Sequence, residues 1–267
     1  MPPQYHPLQI HERTGEPYLR LPAPHSNIII TPLRTSDAPA MTEALNNPDV
    51  YQWLSGPPFP YLPTHAEWWI EHAQPVEAAV WKELQEGDAD APLKVVGSCP
   101  VSAIREQLND GTEVYLGSAD FRRHDYVDIV DLEERARLKA ENDAKEVGDP
   151  TIIWSFGGEC FSIRRSVHLP GHDLIYVPAD WILPKVHGRG IMTAVMRTLI
   201  QEWGVPRMGI RHMLPYLFIG NVGSLRVFEK NGFVLAKTVE GIVDFPAKGA
   251  FPAETRSLHF MEWKADA

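Results

Sequence analysis

The alternation of apolar and polar positions predicts a chain in which short strands and amphipathic helices follow one another. Short β-branched and aromatic runs predict strands, and apolar residues spaced three or four apart over longer stretches predict helices. The predicted strands are 28–31, 101–105, 113–121, 152–154, 181–183, 208–219 (interrupted at Pro215), 233–239 and 257–263. The predicted helices are 35–46, 64–87, 131–146, 191–203 and 221–231. Pro75 is expected to kink or divide the second helix, and Gly204 with Pro206 is expected to end the fourth.

Two stretches outside this pattern bear on the domain organisation. Residues 1–26 are rich in proline and polar side chains, which is typical of an extended lead-in. Residues 125–150 carry nine acidic and four basic side chains and predict a solvated surface insert. No internal repeat and no linker divides the remainder, so we expect a single α/β domain over residues 27–267.

Composition narrows the classes of function. A hydrophobic content of 44% with 22% charged residues is typical of a soluble globular protein. No apolar run reaches the ~18 residues of a membrane span, and the N-terminus lacks the apolar core of a secretory signal. The formal net charge of −10 disfavours a nucleic-acid partner and is compatible with a cationic amine. Two cysteines build no disulfide framework, so we expect a cytoplasmic protein, with the nucleus left open.

The eleven histidines do not predict a metal site. The one His-x₃-His pair, His168 and His172, spans a proline–glycine pair, so no helix presents both rings on one face. Neither Cys99 nor Cys160 lies at a ligand spacing from them. We therefore expect no bound metal.

The stretch 184–203 combines a glycine loop with the start of a strongly amphipathic helix. Gly188 and Gly190 flank Arg189 directly before the helix, and a short apolar strand precedes them. Backbone N–H groups at a helix N-terminus, the helix dipole and missing side chains together favour a phosphate. The loop lacks the lysine and hydroxyl that follow the last glycine of a P-loop, and Thr193 stands where a dinucleotide fingerprint has its third glycine. The loop therefore predicts a phosphate site of another kind.

Three motifs together resemble the GNAT N-acetyltransferases. The loop His-Gly-Arg-Gly-Ile-Met-Thr at 187–193 resembles their acetyl-CoA pyrophosphate loop, which usually runs Arg/Gln-x-x-Gly-x-Gly/Ala. The stretch 221–233, with its opening Asn and Ser and its closing Glu-Lys-Asn-Gly-Phe, resembles their second signature. The stretch 30–37 resembles the first strand and helix of the branch similar to ribosomal-protein N-terminal acetyltransferases. The matches span roughly residues 28 to 263, and their spacing makes the resemblance specific.

The resemblance implies a fold and a reaction. The fold would be α/β, with a GNAT-like mixed, mostly antiparallel central sheet, splayed parallel central strands and flanking helices. The reaction would move an acetyl group from acetyl-CoA, as co-substrate, to a primary amine of a small molecule or a peptide N-terminus by direct attack. Pantetheine would pair with the backbone of Ile182 and Leu183, and the pyrophosphate would bind amides of 188–193. The residues implied in acetyl-CoA binding are Ile182, Leu183, His187, Gly188, Arg189, Gly190, Ile191, Met192, Thr193, Asn221, Ser224 and Phe228.

Three positions depart from the family pattern. His187 stands where Arg or Gln is usual, which weakens side-chain help to the phosphate unless the imidazole is protonated. Met192 replaces the final small residue of the loop. Phe228 occupies the position at which many members carry a tyrosine that protonates the departing thiolate, and phenylalanine cannot donate a proton. The thiolate would then take its proton from water, from the incoming amine or from another residue.

The sequence gives less information on the residues that bind and deprotonate the acceptor amine. An ammonium with a pKa near roughly 10 must lose a proton before it attacks. Asp180, beside the strand that feeds the glycine loop, is the predicted base, directly or through water, ahead of Asp173 and Glu159. The predicted acceptor loops are 56–64, 125–150 and 243–256. We expect a monomer or a homodimer. The alternative function is a catalytically weak or inactive acyl-CoA-binding protein, and nucleotide binding through the same loop ranks third.

Residues 158–179 fit no periodic pattern. Deleting them joins 152–157 directly to 180–184 and leaves a continuous apolar strand. We hypothesise that these 22 residues are an insertion that breaks the strand, with an unspliced intron as one origin, because both junctions can be encoded with splice-like sites. The alternative is a family-specific loop in which 174–177 rebuild the upstream half of the strand. The codons across both junctions distinguish the two.

Overall fold

The structure is a computed structural model that describes residues 2–157 and 180–265. Its strands are β1 Gln9–Ile10, β2 Pro17–Arg20, β3 Ile28–Thr31, β4 Ala103–Gln107, β5 Glu113–Ser118, β6 Phe121–Arg123, β7 Ile153–Phe156, β8 Trp181–Ile182, β9 His212–Met213, β10 Tyr216–Phe218, β11 Val234–Phe245 and β12 Glu254–Lys264. Its helices are α1 Ala38–Leu45, α2 Pro48–Tyr51, α3 Pro63–Gln85, α4 Leu132–Ala144, α5 Ile191–Thr198, α6 Val205–Met208 and α7 Val222–Glu229. The predicted insert 158–179, with Glu159, His168, His172 and Asp173, lies outside the described residues.

One sheet has the strand order β1-β2-β3-β4-β5-β8, and its neighbours are antiparallel. Its first two strands come from the stretch 1–26 that the composition predicts to be an extended lead-in. Leu19 pairs with Ile30 of β3, and the side chains of Leu8, Leu19 and Leu21 are buried in the core. Alternate residues of β2 face the core, so even a segment with few apolar residues adds a strand to the sheet.

The other sheet has the order β10-β12-β9-β7-β6, with β11 also paired to β12. Within it, β7 and β9 are parallel, whereas β12 is antiparallel to both β9 and β10. The described part of the chain is therefore a mixed, mostly antiparallel α/β structure with flanking helices. The predicted fold class is confirmed.

The two sheets separate at a fork. At its base, Ile153 and Trp154 of β7 pair with His212 and Met213 of β9. Beyond these pairs the first arm, made of β7 and β8, continues along β5 in the first sheet. The second arm, made of β9 and β10, continues along β12 in the other sheet. The predicted splaying of two parallel central strands is thus present, and it opens a gap between β8 and β10.

The helix that begins at Ile191 is longer than its sequence predicts. The predicted end at Gly204 and Pro206 is wrong, because the helix passes through a π-helical stretch, Leu199–Gly204, into α6. Pro206 lies inside this continuous helix, next to the junction between the π-helical stretch and α6. The helix ends only at Gly209, whose φ of 68° is a left-handed conformation. Helix α3 is likewise continuous through Pro75, so this proline does not divide it.

Buried polar groups tie the first sheet to the helices behind it. Arg105 of β4 forms an ion pair with Asp37 at 2.7 Å, and each side chain is only 2% exposed. Glu77 of α3 accepts hydrogen bonds from Ser102 Oγ at 2.6 Å and from Leu33 N at 3.0 Å. Burial raises the pKa of Glu77 to about 8. Removing one partner of such a buried pair costs ~3–5 kcal/mol, so these contacts fix the sheet along which the first arm lies.

Candidate functional site

A cavity of about 670 Å³ opens in the fork between β8 and β10. Its walls are the end of the first arm, the glycine loop, the first turn of α5, the second arm, one face of α7, and α2 with the turn that follows it. Of the thirteen residues predicted for catalysis or acetyl-CoA binding, eleven line it: Asp180, Ile182, His187, Gly188, Gly190, Ile191, Met192, Thr193, Asn221, Ser224 and Phe228. Leu183 and Arg189 are outside this lining. The fold therefore brings most of the predicted residues to one place.

The glycine loop is shaped by backbone conformations that favour glycine. Gly188 has a φ of 74° and Gly190 a φ of 77°, both in the left-handed region. A Cβ built on Gly188 meets no atom within 4 Å, and the nearest atom to one built on Gly190 is His25 Nε2 at 3.7 Å. Both glycines line the cavity, so the loop presents bare backbone to open space.

The first turn of α5 directs N–H groups towards the same space. The first helical hydrogen bond runs from Ala194 N to Gly190 O at 3.1 Å, and the N-cap glycine offers no side chain to cap the turn. The N–H groups of Ile191, Met192 and Thr193 precede that bond, and all three residues line the cavity. Such N–H groups and the helix dipole attract an anion. The arrangement fits a pyrophosphate.

The cation of the loop is bound to the first sheet. Arg189 Nη2 donates to Glu106 Oε1 at 2.6 Å, and Asn27 Nδ2 donates to the same oxygen at 3.1 Å. The hydrogen bond from Arg189 lowers the pKa of the Glu106 carboxyl. Because the guanidinium is drawn to Glu106 and Arg189 does not line the cavity, its predicted contact with acetyl-CoA has no counterpart in the lining. The loop therefore offers an anion its backbone groups rather than this side chain.

Alternation along the first arm directs one predicted backbone contact into the fork and the other away from it. Leu183 N donates to Leu116 O of β5 at 2.7 Å, so its N–H faces the first sheet. Ile182 is the next residue of the ladder, opposite Gly117, and directs its N–H and C=O into the fork. His187 Nε2 lies 2.8 Å from Ile182 O. Because a carbonyl only accepts, Nε2 donates, and the imidazole ties the glycine loop to the strand.

The second arm also leads through a glycine turn into a helix N-terminus. Gly220, with a φ of 94°, and Asn221 connect β10 to α7. Asn221 Oδ1 accepts a hydrogen bond from Ser224 N at 3.1 Å. This helix therefore has a side-chain cap at its N-terminus, which α5 lacks.

The cavity side of α7 combines two cations with a buried ring. Arg226 and Lys230 both line the cavity, and their spacing of four residues on a predicted helix is the signal that could identify them. Phe228 lines it as well, is 2% exposed, and makes an edge contact with Phe233 at 5.1 Å between ring centroids. The helix thus offers both positive charge and an apolar surface to one ligand.

Asp180 stands where the first arm enters the cavity. Its side chain is half-buried and packs on Gly157, since a Cβ built on that glycine would lie 1.9 Å from Asp180 Oδ1. Gly157 N also donates to the backbone oxygen of Asp120 at 2.8 Å. Burial raises the pKa of the Asp120 carboxyl to about 6. Gly157 is therefore held by the backbone of Asp120 and packs on the side chain of Asp180.

One wall of the cavity comes from a stretch to which the sequence pattern does not point. Within 49–54, every residue except Tyr51 lines it, whereas 56–64, 125–150 and 243–256, the predicted acceptor loops, do not. A smaller cavity of about 320 Å³ shares Gln52 and Trp53 with the first and reaches Glu254 and Arg256. Trp53, three residues before the Gly-Pro-Pro run that begins at Gly56, is the one signal for this wall, since large aromatic residues near loops often bind ligands.

Within residues 2–157 and 180–265, no group of three or more His, Cys, Asp or Glu side chains is arranged to hold a metal ion. Cys99 is a buried free thiol, and burial raises its pKa well above the usual value. Among the described helices, none is both long and apolar enough to cross a membrane.

Solved structures with a similar fold are acetyltransferases. RimL, the ribosomal L7/L12 alpha-N-protein acetyltransferase, aligns at a TM-score of 0.55 and 12% identity over 96% of this chain and 100% of that one. A GNAT-family acetyltransferase from Bacillus anthracis aligns at 0.51 and 10% over 92% and 98%. MccE, the microcin C7 self-immunity acetyltransferase solved with acetyl-CoA and AMP, aligns at 0.51 and 13% over 90% and 93%. No protein-family model and no curated protein sequence matches the chain. The likeness shows the GNAT acetyltransferase fold.

Proposed function

We propose that the chain is an N-acetyltransferase that moves the acetyl group of acetyl-CoA to a primary amine by direct attack. The cavity in the fork carries this proposal, because a bare glycine loop, a helix N-terminus without a side-chain cap and an open strand edge meet there. An anionic head and an extended amide-rich arm are the two parts of acetyl-CoA that such surfaces suit. The fold, shared with acetyltransferases of which one was solved with acetyl-CoA, supports the same reading.

The pyrophosphate would bind the amides of residues 188–193. Hydrogen bonds from N–H groups to a charged acceptor contribute ~1.5–3 kcal/mol each, so several of them would supply a large share of the affinity. Arg226 and Lys230 would add positive charge from α7. Asn221 and Ser224, which line the cavity at the start of α7, would meet the outer part of the molecule.

The pantetheine arm would add to β8 as an extra strand. An extended ligand gains main-chain hydrogen bonds at an open sheet edge. Ile182 directs its N–H and C=O into the fork, and His187 already bonds the C=O. We therefore assign to the Ile182 N–H the role of donor, either to the arm or to the thioester carbonyl oxygen on which charge develops. His187 would then act as a positioning residue for Ile182.

The reaction forms one C–N bond and breaks one C–S bond. The ammonium first gives a proton to Asp180, directly or through water, because only the neutral amine has a lone pair. The amine nitrogen then attacks the thioester carbonyl carbon, and the C–S bond breaks with its electron pair on sulfur. The second amine proton ends on that thiolate or in water. Phe228 cannot supply it.

The acceptor would lie against the wall made by 49–54. Asp49 and Asp180 both line the cavity and would attract an ammonium. Trp53 lines both cavities and offers an aromatic face to a cation or an aliphatic chain. A small amine or a peptide N-terminus carries such a group, so the proposal covers both.

A second candidate function is a protein that binds acyl-CoA and transfers the acyl group weakly or not at all. Phe228, buried in the lining where many GNAT enzymes carry an acidic phenol, favours an acyl-CoA-binding protein with weak or no turnover. Measuring thiol release from acetyl-CoA with polyamines, aryl amines and peptide N-termini separates the two. We expect at least one amine to accelerate thiol release above hydrolysis in proportion to enzyme concentration. Saturable acetyl-CoA binding with no turnover on any amine would instead establish the binding protein.

A further inference from the structure

The two halves of the first arm pair with one continuous partner in one register. Phe156 of β7 lies opposite Phe121 of β6, and Trp181 of β8 lies opposite Ser118 of β5. From Phe121 to Ser118 the partner advances by three residues, while from Phe156 to Trp181 the chain advances by 25. The surplus is 22, which is the number of residues in 158–179. The ladder therefore continues as if residue 157 were followed by residue 180.

The hydrogen bonds confirm this register. In an antiparallel ladder, pairs that exchange hydrogen bonds alternate with pairs that do not. Gly157 N donates to Asp120 O, and Leu183 N donates to Leu116 O. Asp120 and Leu116 are four residues apart, and Gly157 and Leu183 are also four positions apart once 180 follows 157. The alternation thus passes the interruption without a slip.

The two ends of the interruption touch each other. A Cβ built on Gly157 would lie 2.8 Å from the Cβ of Asp180. Gly157 has a φ of 59°, so the chain leaves the strand direction at a residue that adopts this conformation easily and could adopt an extended one equally well. The described residues on either side are therefore already placed as neighbours.

The second arm shows how the same element is built without an interruption. Met213 of β9 lies opposite Trp263, and Tyr216 of β10 lies opposite Phe260. Both strands advance by three residues between these pairs, so β9 and β10 are one contiguous strand along β12. Each arm thus keeps a single register along its partner strands, and only the first arm contains extra residues.

We propose that residues 158–179 are an insertion within a single strand, and that the fold and the cavity require only the strand on either side of it. A chain in which Gly157 is joined directly to Asp180 then folds with the same pairing of β5–β6 to β7–β8. The proposal concerns how the arm is built and holds whether or not the protein transfers acetyl groups.

Two deletions test it. Deletion of 158–179 keeps the register, whereas deletion of 157–179 removes one residue more and leaves the arm one short. A slip of one residue turns alternate side chains to the opposite face of a strand, so the buried Trp181 would face the wrong side. Thermal unfolding should show the first variant cooperative, with a Tm no more than about 2 °C below that of the full chain. The second variant should unfold at least about 5 °C lower or fail to fold.

A third variant is needed in case Gly157 and Asp180 cannot be joined directly by one peptide bond without strain. Replacing 158–179 with four residues of glycine and serine keeps the ends close without straining them. Failure of both this variant and the register-keeping deletion to unfold cooperatively would overturn the proposal, as would equal Tm values for the two deletions. Titration with acetyl-CoA is a separate readout. Binding by the full chain but not by a folded deletion variant would overturn the part of the proposal that concerns the cavity, whereas failure of both chains to bind counts against the proposed function and leaves the strand proposal intact.

Discussion

The two arms of the fork end in the same three-part unit, a strand, a glycine turn and a helix N-terminus. In the second arm, Asn221 caps α7 and accepts the N–H of Ser224 with its own side chain. In the first arm, Gly190 caps α5 and provides no side chain, so the first-turn N–H groups face the cavity. From this difference we propose that the anion binds at the first arm. The second arm contributes its cap, its apolar face and two cations.

The arms also differ in what their side chains do. The first arm carries Asp180, at the point where it enters the cavity. The second carries Tyr216, Leu217 and Phe218, which line the opposite side. In the proposed function, the arm whose strand is interrupted in sequence therefore carries the proposed base, and the contiguous arm forms the apolar wall opposite to it.

The largest expected effect tests whether Asp180 acts as a general base or only as a negative charge. Asp180→Asn should lower kcat about 100-fold with the Kd for acetyl-CoA within threefold, since removing a general base costs ~10²–10⁴ in rate. Asp49→Asn, which alters a carboxylate of the facing wall, should raise the KM for the amine and leave kcat within about threefold. Steady-state kinetics on both variants decide this. Equal losses of kcat in both would show that Asp180 acts only through charge.

The next effect tests whether bare backbone in the first arm binds the ligand. Gly188→Val should weaken acetyl-CoA binding at least tenfold, ~1.4 kcal/mol, because a side chain would fill the space over the loop. Gly15 is the matched control: its φ of 71° is close to the 74° of Gly188, and a Cβ on either meets no atom within 4 Å. Gly15→Val should lower the Tm by a similar amount and leave the Kd unchanged. Calorimetric titration and thermal unfolding on the same samples provide both numbers, and equal affinities would contradict the assignment.

A smaller effect tests the cap of the second arm. Asn221→Ala should cost about 1 kcal/mol of stability, the usual value for a lost N-cap, or roughly 2–4 °C in Tm. Its effect on the acetyl-CoA Kd should be smaller than that of Gly188→Val. Asn221→Asp keeps an accepting oxygen and should keep the wild-type Tm. A large loss of affinity in Asn221→Ala without a change in Tm would mean that this side chain serves the ligand rather than the helix.

The smallest expected effect concerns Arg189. Its guanidinium is engaged by Glu106 on the first sheet, and an exposed ion pair of this kind contributes only ~0.2–1 kcal/mol. Arg189→Ala should therefore change the Kd for acetyl-CoA less than about threefold. Arg226→Ala, on the face of α7 that lines the cavity, should change it more. A larger change in Kd for Arg189→Ala than for Arg226→Ala would indicate that Arg189 contacts acetyl-CoA.

The parts of the site that sequence predicts are those that backbone conformation requires. Gly188 and Gly190 can be recognised in the sequence because left-handed φ values favour glycine. Asn221 can be recognised because a helix N-terminus favours Asn. The order of strands and helices follows from periodicity, and Pro215 lies between β9 and β10 without shifting their register along β12. Periodicity alone predicts an α/β domain, whereas the mixed, mostly antiparallel sheet with splayed strands was expected only from the resemblance to the GNAT N-acetyltransferases.

Other parts of the site and the fold depend on tertiary contacts that cannot be recognised in the local sequence. Residues 49–54 become a wall only because the fold places α2 across the fork, and Arg189 is drawn from the cavity by Glu106 on a distant strand. The helix from Ile191 continues past Gly204 through a π-helical stretch that its composition does not indicate. Polar residues of the lead-in join the sheet because β3 offers an open edge.

The central claim is that the uncapped first arm is an acetyl-CoA site. Parallel calorimetric titrations of the full chain with acetyl-CoA and with ATP test it most directly, because both ligands carry a pyrophosphate and only one carries a pantetheine arm that can pair with β8. We predict saturable binding of one acetyl-CoA per chain, with ATP at least a hundredfold weaker. Equal affinity for ATP, or no heat with acetyl-CoA, would contradict it.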